Sequence, residues 1–396
     1  MSTHATERAR EKIARLAGHG LDLVAFWEAS TEVLECVVPH YMTPCWFTLD
    51  PASLLITSHY QTEFMELPPE WLADEYFADD VRKLTDVART SRGMWTIHEA
   101  TGGDPSRSKS WSQYVQPYGG DQELVVALRT RAGDTWGLLS LYRQPGKPQF
   151  APDELGFLRE VAPYLAEGAR RGLLVGEATD PEGPEAPGLI ILSDDWSVES
   201  LTPGVELWLA DLPDSGWETR GTLPPAVLAV AGRALRTAEH PAAPGEIAFA
   251  RVLSRSGRWV VLHGATLVGN GARRVAVIVE PAHPARISPL LMAAYGLTER
   301  EQEVSRLVMQ GNSTAEIATR LDVLPQTVQQ HLKSIFDKTG VHSRRELVGK
   351  VFFAHYEPRL RDNEDLIRRP TTGLPHGILG CSGEVSLTTS AFADTP

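Results

Sequence analysis

The sequence predicts a multidomain chain: an α+β region built as two successive units, followed by an all-α module of four helices. Two observations predict it. Between residues 21 and 282, helical stretches are interleaved with short apolar runs of strand length bounded by turn residues, whereas residues 297–355 carry helical spacing alone. Gly176–Gly188, with three prolines, four acids and three glycines, divides the upstream region in two.

The elements follow in order. Residues 1–20 form an N-terminal extension with helical spacing over Glu7–Ala17. The first unit, 21–175, opens with a helix over Leu21–Val38; Leu23, Phe26, Trp27, Val33, Leu34 and Val37 share a face, and Pro39 ends it. Cys45–Leu49 and Leu54–His59, separated by Asp50-Pro51-Ala52-Ser53, read as a hairpin. A helix over Glu70–Arg89 follows, then a polar loop over Thr101–Trp111, placed as a lid would be. Glu123–Thr130 and Thr135–Tyr142 form a second hairpin, and a long helix from Pro152 to Val175 closes the unit. After a linker at 176–187, the second unit (188–282) has a strand at Leu189–Leu192 and a helix at Pro224–Thr237. A meander of Glu246–Leu253, Arg258–Leu267 and Arg273–Glu280 completes it. Pro281, Pro284 and Pro289 mark a second linker at 283–296, and residues 356–396, polar and aperiodic, predict a disordered tail.

Composition excludes several classes. Hydrophobic residues make up 42 % and charged residues 22 %, as in soluble globular chains, and no run nears the roughly 18 apolar residues of a membrane span. The three cysteines, Cys36, Cys45 and Cys381, cannot make a disulfide framework, and Met1–Lys12 is polar rather than an apolar leader. A reducing cytoplasm is therefore the expected location. The net charge of −13 argues against a chain that coats nucleic acid, but charge belongs to domains: Leu297–Lys350 carries eight basic residues against seven acids. Any nucleic-acid contact must be local.

The C-terminal module repeats one device. Thr298 with Glu301, Ser313 with Glu316 and Ser343 with Glu346 each have the spacing of a capping box, in which hydroxyl and carboxylate satisfy two orphan amides of a helix start. Turns at Gly311-Asn312 and Gly340 separate the helices. The first, Glu299–Met309, turns Val304, Leu307 and Val308 inward; the second, Thr314–Leu321, turns Ile317, Ala318 and Leu321. The third, Pro325–Lys338, buries Val328, Leu332, Ile335 and Phe336 and exposes Gln326, Gln329, Gln330, Lys333 and Ser334. Such an outward face suits a major groove, since Gln can pair with adenine and Lys with guanine.

The segment resembles the LuxR-type (GerE-like) helix-turn-helix family over about a seventh of the chain. The likeness is carried by Leu297-Thr298-Glu299-Arg300-Glu301, Gly311, Ser313, Glu316-Ile317-Ala318, Leu321, Thr327-Val328, His331-Leu332, Ile335, Lys338, Gly340-Val341 and Arg344. It implies a transcription regulator that binds double-stranded DNA as a homodimer: the third helix reads bases and Ser343–Val351 supports dimerisation. Carried over by position, Gln329, Gln330 and Lys333 face bases, while Thr314, Thr327, Lys338 and Arg344 lie near phosphates. Two positions depart from the pattern. Leu324 stands where a capping Ser or Thr is usual, losing roughly 1 kcal/mol of capping, and Gln329 stands where a basic residue is frequent.

The upstream units resemble sensor domains. The first is similar to a GAF domain in Trp136-Gly137-Leu138-Leu139-Ser140-Leu141-Tyr142, followed by Phe150-Ala151-Pro152-Asp153-Glu154 and a closing helix; the second resembles a PAS domain in its meander with Arg258-Trp259-Val260-Val261-Leu262. The resemblance implies an unidentified small-molecule effector in one of them, and RNA polymerase is among the partners such a regulator could take. Trp46, Trp95, Trp111 and Trp136 are the candidate walls of the effector pocket, with core packing as the alternative role. Cys36, His40 and Cys45 lie close in sequence but lack a fourth ligand, and His59 and His98 add none, so no metal or other cofactor is expected. A haem or redox sensor using Cys45 or a nearby His, and an interaction module that keeps the helix-turn-helix without strong DNA binding, are the alternatives. Ser193-Asp194-Asp195 mimics the acidic pair of a phosphoacceptor domain, but no lysine follows before Lys333. Neither Gly146-Lys147 nor Gly349-Lys350 has a phosphate-loop glycine five residues earlier, and no hydrolase or zinc-protease motif is present; the chain is not expected to be an enzyme.

Overall fold

The computed structural model describes residues 3–62, 68–174, 184, 186–240, 246–267 and 273–353; the expected tail at 356–396 and most of the 176–187 linker lie outside them. The N-terminal extension forms α1 (Thr3–Leu16), and in the first unit α2 (Leu23–Glu35) leads into β1 (Tyr41–Leu49) and β2 (Ile56–Tyr60). Next come α3 (Pro69–Phe77), α4 (Leu84–Arg89), β3 (Met94–Thr96) and α5 (Ile97–Thr101). The hairpin β4 (Gln122–Arg129) and β5 (Thr135–Arg143) and the helix α6 (Pro152–Gly172) complete it. The second unit contains β6 (Gly188–Leu192), β7 (Val198–Leu201), α7 (Val205–Asp211), α8 (Trp217–Arg220) and α9 (Pro225–Glu239). It ends with β8 (Phe249–Leu253), β9 (Trp259–Leu267) and β10 (Arg274–Pro281), after which comes α10 (Pro284–Ala294).

Among the described residues each unit holds a five-stranded antiparallel sheet, and the two sheets share one serial order. The first runs β2-β1-β5-β4-β3 and the second β7-β6-β10-β9-β8, so in both the opening strand lies between the second and the last. Two-residue alternation sorts the first sheet's side chains between two layers. Trp46, Leu124, Val126, Leu139 and Leu141 pack against α1, α2 and α6 on one face. Cys45, Phe47, Val125, Ala127 and Leu138 point to the other, toward α3 and α4.

That second layer continues into the second unit. One apolar core runs from Phe47 and Leu72 through α9 to Val260 and Val277. Helix α9 is buried from Ala226 to Leu235, which matches its near-continuous Ala/Val/Leu composition. Gly232 permits the crossing: a Cβ there would lie 2.2 Å from the carbonyl oxygen of Ala73 in α3. Gly232→Ala is therefore expected to destabilise by about 1–3 kcal/mol through overpacking, although alanine is favoured in helices by about 1 kcal/mol. Denaturant unfolding measures it; an unchanged midpoint would mean that α3 shifts without cost.

The structure departs from sequence expectation at four places. The helix expected over Glu70–Arg89 is two helices, because Ala78 is extended and the Asp80 carboxylate takes Ser108 Oγ (3.0 Å), Ser110 N (2.8 Å) and Val81 N (2.6 Å). Those same bonds organise the expected loop over Thr101–Trp111, which carries a 3₁₀ turn at Pro105–Arg107 and leads into helical turns at Trp111–Val115 and Gln116–Tyr118. Short elements (β3, α5, β7, α7 and α8) fall outside the sequence expectation. Residues 284–294, expected as linker, form α10: Pro284 begins the helix, and Ile287, Leu290, Leu291 and Met292 are buried. No helix among the described residues is long and apolar enough to cross a membrane.

Candidate nucleic-acid interface

Four helices follow α10: α11 (Glu299–Met309), α12 (Thr314–Leu321), α13 (Pro325–Thr339) and α14 (Arg344–Phe353). Their apolar spacing closes one core of Val304, Val308, Ile317, Ala318, Val328, Leu332, Ile335, Val341 and Leu347, with Leu307, Leu321 and Phe336 packed at its edge. The first two capping boxes form as spaced. Glu301 N donates to Thr298 Oγ1 (3.4 Å) and Thr298 N to Glu301 Oε2 (2.7 Å); Ser313 and Glu316 repeat this at 3.3 and 2.7 Å. At the third, Glu346 N donates to Ser343 Oγ (3.1 Å), but the carboxylate reaches one residue further back, to His342 N (2.8 Å). The backbone N–H and hydroxyl donors hold the Glu316 and Glu346 carboxyls below their ordinary range.

Helix α13 is oriented by a group that local spacing does not reveal. Besides capping α11, the buried Glu301 accepts from Ser334 Oγ (2.7 Å) and Lys338 Nζ (2.6 Å) across the domain. Other cations close helix ends: Arg300 donates to Leu321 O (2.6 Å) and Lys350 to Thr339 O (2.8 Å). With its core face so held, α13 exposes Gln326, Gln329, Gln330 and Lys333, and Asp337 continues that face. Leu324 is the N-cap, without a side-chain cap bond and 68 % exposed, followed by Pro325. Of the expected phosphate contacts, the structure joins two: Arg344 donates to Thr314 Oγ1 (2.7 Å) and to Asn312 O (2.8 Å). Lys338 is paired with Glu301, and Thr327 is half-buried in the first turn of α13.

Residues 296–351 match the description "Bacterial regulatory proteins, luxR family". They form a luxR-family helix-turn-helix domain. Over 55 residues the chain is 50 % identical to an HTH-type transcriptional regulator of Mycobacterium bovis, covering 14 % of this chain and 6 % of that protein. Over 56 residues it is 43 % identical to the monoamine regulon transcriptional regulator of Klebsiella aerogenes, 14 % and 25 % of the two chains. Over 60 residues it is 38 % identical to the HTH-type transcriptional regulator MalT of Yersinia pestis, 15 % and 7 %. The chain thus covers at most a quarter of these relatives, all of them named as transcriptional regulators. The crystal structure of the bacteriophytochrome RpBphP3 of R. palustris covers 71 % of this chain and 63 % of its own at 13 % identity and a TM-score of 0.27, too slight an overlap to bear on the fold.

Upstream of the luxR-family domain, the four candidate tryptophans separate. Trp95 and Trp111 line one cavity, with Trp71, Tyr114, Glu75 and Glu123. Trp46 points to the opposite face of the sheet, stacked on Trp27 with its indole N–H donated to Thr31 Oγ1 (3.0 Å). Trp136 packs against Leu290 and Ala294 of α10. The cavity measures about 20 Å³, room for one or two waters. Burial pushes the Glu75 and Glu123 carboxyls up, to about 8 and about 7.

Among the described residues no three His, Cys, Asp or Glu side chains gather as a metal site. Cys36 is exposed at the end of α2, and His40 Nδ1 is bonded to Val38 O (2.7 Å). Burial pushes the Cys45 thiol to about 12, which keeps it protonated and unreactive, and pulls His59, stacked on Phe47, down to about 4. His98 lies 3.7 Å from Asp121.

Proposed function

We propose that this chain is a DNA-binding transcription regulator that reads an operator as a dimer, with a small-molecule effector acting through the upstream units. The observation that carries the reading is α13: Val328, Leu332 and Ile335 are buried while Gln326, Gln329, Gln330 and Lys333 line one exposed face, within a luxR-family domain. Gln329, Gln330 and Lys333 are proposed to face bases. Thr314, Thr327, Lys338 and Arg344 flank them toward phosphates; Lys338 and Arg344 meet phosphate from positions already set by Glu301, Asn312 and Thr314. Helix α14 is proposed as the dimer contact, with Arg345 and Val348 on its exposed side. The shared strand order and the three helices behind the first sheet support a GAF-like unit followed by a PAS-like unit. RNA polymerase is a proposed partner in activation or repression.

Genomic pull-down or footprinting of the full chain tests the reading: enriched, protected sites are expected, and none in any growth condition would refute it. Gln330→Ala and Lys333→Ala should each relax discrimination at one base position by about 1–3 kcal/mol, whereas Arg344→Ala should weaken all sequences alike. Equal loss of specificity in all three variants would refute that division. Leu324, 68 % exposed beside the recognition face, favours a second reading in which the domain docks on a protein. Salt-independent or absent binding to duplex DNA would favour it, since phosphate neutralisation makes DNA affinity fall steeply with salt.

A further inference from the structure

Between α3 and α4 of the first unit and α9 of the second lies a polar cavity of about 80 Å³, with room for several waters. Most of its acidic oxygens already face donors. Asp79 accepts from Arg236 (2.8 Å), and Asp80 holds Ser108 Oγ and Ser110 N. Asp86 takes the Lys83 backbone N–H (3.1 Å), and Glu246 pairs with Arg89 (3.2 Å) and lies 3.5 Å from Arg236; it also attracts Arg233 from a distance, and its Oε2 makes no hydrogen bond.

Two of its cations are left over. Lys83 Nζ and Arg233 Nε and Nη1 make no hydrogen bond to a described residue, although Lys83 is 7 % and Arg233 1 % exposed. Arg233 stands over the Tyr76 ring at 5.3 Å, which offers it a face but no acceptor. Glu75, which attracts Lys83, is occupied by Leu84 N at 2.6 Å. A buried cation without an acceptor is unfavourable unless something supplies one, and a guanidinium fork matches the two oxygens of a carboxylate or phosphate.

We propose that this cavity binds a small oxyanion, a carboxylate or phosphate group gripped by Arg233 and Lys83, and that the bound group ties α4 of one unit to α9 of the other. The site is separate from the tryptophan-lined cavity and from the DNA-facing helix, so its test involves no DNA.

Thermal unfolding and calorimetric titration of the full-length protein in chloride buffer decide it, with inorganic phosphate and, separately, succinate added at constant ionic strength. A saturable rise in Tm with at least one of them is expected. Lys83→Met and Arg233→Met should each weaken that binding at least tenfold, while Arg8→Ala, on the exposed side of α1, should not. A response to phosphate alone assigns a phosphoryl ligand, and a response to succinate alone a carboxylate. A rise no greater than chloride gives, or an equal rise in the parent and both Met variants, overturns the proposal.

Discussion

Asp50→Ala is expected to destabilise the protein by about 3–5 kcal/mol, the range for breaking one partner of a buried ion pair. Asp50, at the end of β1, is wholly buried. Its Oδ2 accepts from Arg251 N (2.9 Å) and Nε (2.8 Å), and its Oδ1 from Arg251 Nη2 (2.6 Å) and Ala52 N (2.9 Å). Arg251 lies in β8 and also reaches Arg286 O of α10 at 3.3 Å, so one carboxylate joins both units and the helix that leads to the luxR-family domain. Removing it leaves a buried guanidinium with a single long bond. Arg251→Met in the Asp50→Ala background should recover part of the loss, because the stranded charge is then gone as well. A double-mutant cycle by urea unfolding measures both effects. A loss below about 1 kcal/mol in the single variant would show that water reaches Arg251 and replaces the carboxylate.

Glu301→Ala is expected to cost about 2–4 kcal/mol within the luxR-family domain. A lost cap contributes roughly 1 kcal/mol, and the charge-assisted bonds to Lys338 and Ser334 the remainder. Burial alone would raise the Glu301 carboxyl; the bonds from Lys338, Ser334 and Thr298 N outweigh it and hold the group below its ordinary range. A carboxyl so depressed contributes stability that is fully present above its unfolded value, near pH 4, and is lost as pH falls through the folded value. The stability gap between parent and Glu301→Ala should therefore be constant at neutral pH and narrow on acidification. Amide exchange along α13 should accelerate in the variant, with DNA affinity falling for all sequences alike. Unchanged protection of α13 would show that its packed face alone orients it.

What could be read along the chain was what is decided within a few residues. The first two capping boxes appear at their stated spacing because hydroxyl, carboxylate and amide all lie within one helical turn. The uncapped Leu324-Pro325 start and the core face of α13 were legible for the same reason. The break between α3 and α4 has no local signal because Asp80 is claimed by Ser108 and Ser110, 28 and 30 residues away, and α10 has none because its prolines mask an apolar face covered by other elements.

The sequence by itself therefore determined the four-helix module, its family likeness and its outward Gln/Lys face, since capping and 3.6-residue periodicity are local and need no partner. Only the tertiary structure decided that the two upstream units share one core across α9. It alone separated Trp95 and Trp111, which line one cavity, from Trp46 on the opposite face of the first sheet and from Trp136 against α10. It also gave Glu301 its second role, 33 and 37 residues from Ser334 and Lys338, and joined Asp50 to Arg251 across 201 residues. Pairings at that separation arise from burial and packing of the whole chain, and no local pattern encodes them.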